Sequence, residues 1–230
     1  MSVFLLGSTG LVGSEILLAA SKSSTITSIT TLSRKVPDLT VEKLNSILEP
    51  DCSKWPPIVR SHPCNIFVSA FGSTKAKAGG SKQFHDLDYG VPLMAAKSAK
   101  ESGSKTCILI SSAMANSKSP LLYLRTKGDL ENDIKKLNFD HTVFIRPGVL
   151  LGERKEDHGH WNNFAMKVGG WIQNTWLAPL MNPIDAQDVG KIAVHYSELS
   201  LDNKLDEKLT IIEGSKLVKM VNTLKARGDI

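Results

Sequence analysis

Cysteine is scarce in this chain, with three in 230 residues. Cys52, Cys64 and Cys107 are odd in number and share no metal-ligand spacing, which argues against both a disulfide-built scaffold and a cysteine metal centre. They read as reduced thiols of an intracellular compartment, with Cys107 inside a strand. No apolar stretch approaches the length that crosses a bilayer, so a spanning helix is not expected. A strand pattern opens at Val3, so neither a signal peptide nor an Arg-rich presequence is expected. The formal net charge is +5, yet no run of Lys and Arg is long enough for a nucleic-acid footprint. Nucleic acid is therefore not an expected partner. The mild positive balance leaves an anionic cofactor or an anionic membrane surface to weigh. Internal repeats and low-complexity linkers are also lacking.

What is present is the balance of a soluble globular protein, 41% hydrophobic and 22% charged residues. Apolar β-rich runs alternate with helical patterns along most of the chain. That alternation predicts one α/β domain over residues 1–230, a Rossmann-like doubly wound parallel sheet with helices on both faces. Predicted strands are 3–6, 26–32, 44–48, 66–71, 106–110, 142–146 and 209–212. Predicted helices are 11–21, 53–61, 88–102, 122–136, a stretch within 162–173, 185–199 and 216–227. Pro92 suits the first turn of its helix, and Gly103 suits a helix end. Residues 153–183 break the alternation as an insertion that holds Trp161, Trp171 and Trp176. Following the sixth strand, this insertion is a candidate substrate wall or lid; core packing and contact with a membrane are the alternatives.

Residues 3–13 read VFLLGSTGLVG, an apolar run that ends in Gly7, Gly10 and Gly13, spaced three apart. In a strand–turn–helix unit the first glycine permits the sharp turn and the second lets the backbone approach a pyrophosphate. The third lets the helix pack tightly, with its free N–H groups aimed at the anion. Gly7, Ser8, Thr9, Gly10, Leu11, Val12 and Gly13 are thus the candidate cradle. After the second strand stand Arg34 and Lys35, with no carboxylate until Asp38. A guanidinium suits a ribose 2′-phosphate, where a carboxylate would suit a free 2′-hydroxyl, so NADP(H) is favoured over NAD(H). Asp51 is placed either to accept from an adenine amino group or to cap the helix after it.

Tyr123 and Lys127 are four residues apart, which puts phenol and ammonium on one helix face. A free tyrosine titrates near pH ~10, and a neighbouring ammonium favours its phenolate, opening proton exchange with a carbonyl or alcohol. Upstream, the fifth strand ends in Ile110-Ser111-Ser112-Ala113, where a serine hydroxyl can hold the substrate oxygen. Ser111 and Ser112 both stand there, the alternative being that they only satisfy backbone groups of the turn.

Gly7-x-x-Gly10-x-x-Gly13, Ser112-Ala113, Tyr123-x-x-x-Lys127, Arg146-Pro147-Gly148 and Pro183-Ile-Asp185-x-x-Asp188-Val189-Gly190, in this order, resemble the atypical short-chain dehydrogenase/reductase superfamily. Within it, Leu122-Tyr123-Leu124, Ala78-Gly79-Gly80 and Leu151-Gly152-Glu153-Arg154 look like the Tat-interacting-protein group. Asp51-x-Ser53-Lys54-Trp55 looks closest to that group's fungal branch, found with mitochondria and peripherally on the outer membrane. The resemblance implies a Rossmann fold that binds NADP(H), with Ser112, Tyr123 and Lys127 in the catalytic positions and Ser111 as the second choice for the serine. It implies that Pro147, Gly148 and Val149 run along the nicotinamide, and that Ala70, Phe71 and Gly72 pass the adenosine. The implied function is a carbonyl/alcohol oxidoreductase acting on a small molecule. The alternative is a non-catalytic NADPH-binding regulator or scaffold with protein partners. The implied location is the cytosolic face of the mitochondrial outer membrane, with a cytoplasmic one as the alternative. One departure stands out. The asparagine of classical members is not identifiable, and Asp88 or Tyr89 occupies its region.

His158 and His160 lie beside Glu156 and Asp157, but no third ligand has matching spacing and no metal site is expected. His195 reads as a satisfied, half-buried side chain. In the last helix Leu217, Met220, Val221 and Leu224 form a stripe expected to face the core, the alternative being an anionic bilayer.

Overall fold

The structure, a computed structural model, describes residues 1–73, 78–152 and 183–227. Among them seven parallel strands form one sheet: β1 (Ser2–Leu6), β2 (Ser28–Ser33), β3 (Leu44–Leu48), β4 (Ile66–Ser69), β5 (Thr106–Ile110), β6 (His141–Arg146) and β9 (Leu209–Glu213). They lie in the order β3-β2-β1-β4-β5-β6-β9. From β1 the chain winds outward to β3, then crosses back to β4 and continues the other way. The reversal falls between β1 and β4, which makes the carboxyl end of β1 the topological switch point. A single-domain Rossmann-like α/β fold is what the alternation predicted.

Two apolar layers sandwich the sheet, because consecutive strand residues point to opposite faces. Val3 and Leu5 join α1 (Leu11–Lys22), α6 (Ala186–Leu201) and α7 (Gly214–Arg227) through Ile16, Leu17, Val189, Ile192 and Leu217. Phe4 and Leu6 join α2 (Trp55–Ser61), α4 (Val91–Glu101) and α5 (Leu122–Lys136) through Trp55, Ala95, Leu130 and Ile134. A strand buried on both faces is apolar over most of its length, which is why β1, β4, β5 and β6 each carry a short hydrophobic run. Cys107 is fully buried in β5, as expected. Gly190 lets α6 lie on α1, since a Cβ there would come 2.8 Å from the backbone of Glu15. Leu217, Val221 and Leu224 are buried, so the apolar stripe of α7 serves the core. Among the described residues no helix is long and apolar enough to cross a membrane.

Three local expectations are corrected, and one pairing is added. The strand expected over 66–71 stops at Ser69, because Ala70 makes its last ladder bond to Leu6 and the chain then passes over the Gly7 turn. The helix expected over 53–61 opens as a 3₁₀ turn, Cys52–Lys54, before α2 begins. The helix expected to start at Asp88 starts earlier: α3 (Ser81–His85) runs through a π-helical turn, Asp86–Gly90, into α4. Pro92 has no N–H to continue the regular ladder, and Val91 donates five residues back to Asp86. Finally, β7 (Leu150–Leu151) pairs in parallel with β8 (Ile184–Asp185), a bridge too short to show in a sequence pattern. The stretch within 162–173, the three tryptophans, His158 and His160 lie outside the described residues. Gly103 ends α4 with φ +99°, where Ser104 donates back to Ala99.

Candidate functional site

At the switch point the chain leaves β1 through Gly7, whose φ of +88° belongs to the left-handed region. A Cβ on Gly7 would lie 2.7 Å from the Ala70 and Phe71 backbone, so this turn and the segment after β4 touch without side chains between them. Gly13 is more constrained, since its Cβ would sit 1.9 Å from the Gly7 carbonyl oxygen. Gly10 donates to that carbonyl at 3.0 Å and is the N-cap of α1, with no side-chain cap. Ser8, Thr9, Leu11 and Val12 complete the loop. The first N–H groups of α1 are therefore directed at the space outside the strand ends, as an anion cradle requires.

Buried polar atoms point the same way. Ser8 at the turn, Ser69 at the end of β4 and Ser111 just past β5 each bury a hydroxyl without a hydrogen-bond partner among the described residues. Such orphans are rare in folded proteins and call for an explanation. Three at the carboxyl edge of the sheet fit a polar guest along that edge. The donor set and the missing Cβ atoms suit a dinucleotide.

Arg34 and Lys35 are exposed just past β2. Arg34 lies near enough to Cys52 to oppose the burial that raises the thiol. Asp51 caps the 3₁₀ turn, accepting from the Ser53 N–H at 2.9 Å and its hydroxyl at 2.7 Å. Of the two roles read for Asp51, capping is the one seen. Phe71 turns its ring into the core, edge-on to Trp55 at 5.3 Å, so only its backbone faces the turn.

On the other half of the sheet, Tyr123 and Lys127 lie in the first turns of α5. Lys127 Nζ stands 5.9 Å from the Tyr123 ring centroid, and Phe84 stacks obliquely on that ring at 6.0 Å. Tyr123 keeps 44% of its surface exposed while Lys127 keeps 4%. The lysine donates to Asp88 Oδ1 at 3.0 Å, inside the protein. Asp88 Oδ2 accepts the Ser73 N–H at 2.7 Å. Burial acts to lower the Lys127 ammonium, but Asp88, the Tyr123 phenol and Glu131 outweigh it and hold it above its ordinary range. Burial likewise pushes the Asp88 carboxyl up, against the pull of Lys127 and the Ser73 N–H. Tyr89, the other residue of that region, donates instead to Asp133 at 2.6 Å, and its phenol is pushed up to about 12.

Ser112 is partly buried on the loop after β5, its hydroxyl donating to the Ala113 carbonyl at 3.1 Å. That loop is tied down on two sides. Ala113 donates to Pro147, next to Gly148 and Val149, and Asn116 donates to Leu124 beside Tyr123. Gly128 makes this fit possible, since a Cβ there would meet Ser117 N at 2.2 Å. Serine loop, tyrosine helix and the segment after β6 are thus joined by backbone contacts.

Below them Arg146, at the end of β6, is held by two acids. It grips Glu131 bidentately at 2.8 and 2.5 Å and reaches Glu213, its register partner on β9, at 2.8 Å. The hydrogen bonds to Glu131 outweigh burial and hold the guanidinium above its ordinary range.

Sequence reasoning missed the roles of Asp88, Glu131, Glu213 and Gly128, although two signals were present. Lys127, Leu130, Glu131 and Ile134 occupy positions i, i+3, i+4 and i+7, the core stripe of α5, where charges call for buried partners. A glycine inside a helix costs about 1 kcal/mol and marks a close approach. His195 is half-buried and edge-on to Tyr196. Among the described residues no cluster of three metal-ligating side chains occurs.

Residues 22–174 match the HIM1 family model. A curated relative, "Protein FMP52, mitochondrial" from Candida albicans, is 50% identical over 228 residues, 97% of this chain and 100% of its own length. The fmp52 protein of Aspergillus fumigatus, also named mitochondrial, is 34% identical over 95% of this chain and 97% of its own. Of solved structures, the Bordetella bronchiseptica enzyme WbmH, in complex with NAD+, superposes with a TM-score of 0.68 at 12% identity, covering 99% of this chain and 81% of that one. A short chain dehydrogenase family protein from Francisella tularensis gives 0.63 at 13% identity, over 94% of this chain and 98% of that one. Identities this low speak for the fold alone, a Rossmann-like one similar to that of both proteins.

Proposed function

The chain belongs to the HIM1 family, alongside the fungal FMP52 proteins, and from that premise we propose that it is an NADP(H)-dependent oxidoreductase of the atypical short-chain type. One observation carries the reading: a buried, charged Lys127 held 5.9 Å from the ring of a half-exposed Tyr123, on the sheet edge that also carries the Gly7–Gly13 turn. The NAD+ in a similarly folded enzyme supports a nicotinamide dinucleotide. The exposed pair Arg34 and Lys35 supports the 2′-phosphorylated form. Asp51 retains its second carboxylate oxygen for an adenine amino group. Ala70, Phe71 and Gly72 would line the adenosine side, and Pro147, Gly148 and Val149 the nicotinamide side.

When bound, the dinucleotide supplies or accepts the hydride. Tyr123 gives its hydroxyl proton to the substrate oxygen, or takes it back in the reverse direction. Lys127 steadies the phenolate left behind. Ser112 turns its hydroxyl from the Ala113 carbonyl to the substrate oxygen, which orients it opposite the tyrosine. The substrate is a small carbonyl or alcohol. Resemblance to the Tat-interacting-protein group adds protein partners, and the relatives' names support a mitochondrial location. Within that location the reading is peripheral attachment to the cytosolic face of the outer membrane, through contact with anionic lipid.

NADPH consumption against a panel of carbonyl compounds tests the catalytic claim. Tyr123→Phe is expected to lower turnover about a hundredfold or more, with NADPH affinity kept. Equal rates in the two proteins would remove Tyr123 from the chemistry. A second reading is favoured by the hydrogen bond that draws Lys127 towards Asp88. In it the dinucleotide is a structural ligand that stabilises a regulatory protein by mass action. Tight NADPH binding with no turnover on any carbonyl would select it.

A further inference from the structure

We propose that Asp88 is the positioning residue of this site, an internal counter-ion that keeps Lys127 charged and locks the segment after β4 to it. The proposal rests on the reading of Lys127 as the site lysine. Both carboxylate oxygens are committed, Oδ1 to the Lys127 ammonium at 3.0 Å and Oδ2 to the Ser73 N–H at 2.7 Å. Two donors therefore converge on one side chain. An asparagine could accept at its single oxygen but would turn its own N–H groups against the other donor, so this geometry demands an anion. Only one N–H of the ammonium is spent on Asp88, and two remain for groups above it.

The backbone is shaped around this pair. A Cβ on Gly72 would lie 3.1 Å from Asp88 Oδ1 and 3.3 Å from Lys127 Nζ, so Gly72 lies directly over the ion pair. Asp88 reaches inward from the middle of the π-helical turn Asp86–Gly90, and such turns recur at functional sites. Asp88 itself has no exposed surface. Among the described residues, the titratable groups facing Lys127 are Asp88 from the π-turn and Tyr123 and Glu131 from its own helix, and Arg146 already engages Glu131. Asp88 is the acid in contact with the ammonium, and without it burial would drive the lysine towards its neutral form. Because Ser73 shares the carboxylate, loss of Asp88 also releases the Ala70–Gly72 stretch that borders the Gly7 turn.

The test follows Lys127 itself, by nitrogen-detected NMR of lysine-labelled, cofactor-free protein, with the resonance assigned by its loss in Lys127→Arg. In the wild type the ammonium is expected to titrate above the ordinary lysine value of about 10.4. In Asp88→Asn the midpoint is expected to fall by about two pH units. The same variant is expected to bind NADPH about tenfold more weakly, with Asp88→Glu recovering part of the loss. An unchanged midpoint or an unchanged affinity in folded Asp88→Asn overturns the proposal. If Asp88→Asn does not fold, the wild type decides, and a Lys127 midpoint below the ordinary value overturns it. The titration needs no turnover, so a wild type that consumes no NADPH defeats the oxidoreductase reading and leaves this result standing.

Discussion

Replacing Gly13 with alanine is expected to destroy dinucleotide binding and to destabilise the fold by about 3 kcal/mol or more. The added Cβ would lie 1.9 Å from the Gly7 carbonyl oxygen and 2.7 Å from its carbon, both backbone atoms of the turn itself. No rotamer relieves such a clash. Either α1 moves off β1 or the Gly7 turn opens, and both scatter the N–H groups of the cradle. Gly10→Ala is the control. Its Cβ would sit 3.3 Å from the same oxygen, and Gly10 has a φ of −82°, which alanine adopts freely. That variant is expected to lose less than about 1 kcal/mol while still weakening NADPH, because the methyl group stands where phosphate oxygens approach. Urea unfolding and NADPH titration on both variants separate the two effects. Equal stability in Gly13→Ala and the wild type would mean that the turn is not packed as described.

Arg146→Met carries the second large effect, a loss of about 3–5 kcal/mol. Glu131 is nearly fully enclosed, with 2% of its side chain exposed, and Arg146 supplies its bidentate partner. Removing the guanidinium leaves a carboxylate buried without a counter-charge, while Glu213, 40% exposed, can turn to water. Arg146→Met combined with Glu131→Leu should recover most of the loss. A single variant within about 0.5 kcal/mol of wild type would show that the network carries no stability.

These two sites also show what a sequence makes legible. Strands buried on both faces are apolar over most of their length, so Phe4, Phe67, Ile108 and Phe144 sit in runs that announce a covered parallel sheet. The glycine turn is equally visible, because close backbone approach leaves no other residue type available at Gly7 or Gly13. Tyr123 and Lys127 are visible as a pair because both lie on one helix at a fixed spacing. Asp88 is different. Its partner lies 39 residues further along, and only the π-turn, an irregularity with no sequence period, aims it inward. Arg146 was visible as part of a motif, but its work is structural: it couples β6, β9 and α5 beneath the tyrosine. The two-residue pairing of β7 with β8 is set by tertiary contact alone, since Gly152 at φ +145° brings the chain over Leu11 at the head of α1.

The central claim is that the Gly7–Gly13 turn and the Arg34 loop hold a 2′-phosphorylated nicotinamide dinucleotide. Titration calorimetry of the wild-type protein with NADPH and with NADH, side by side, tests it most directly. The account predicts one site per chain and NADPH bound at least about tenfold more tightly than NADH, with the preference lost in Arg34→Ala. Heat of binding from neither nucleotide would contradict the claim, and a preference for NADH would contradict the role given to Arg34.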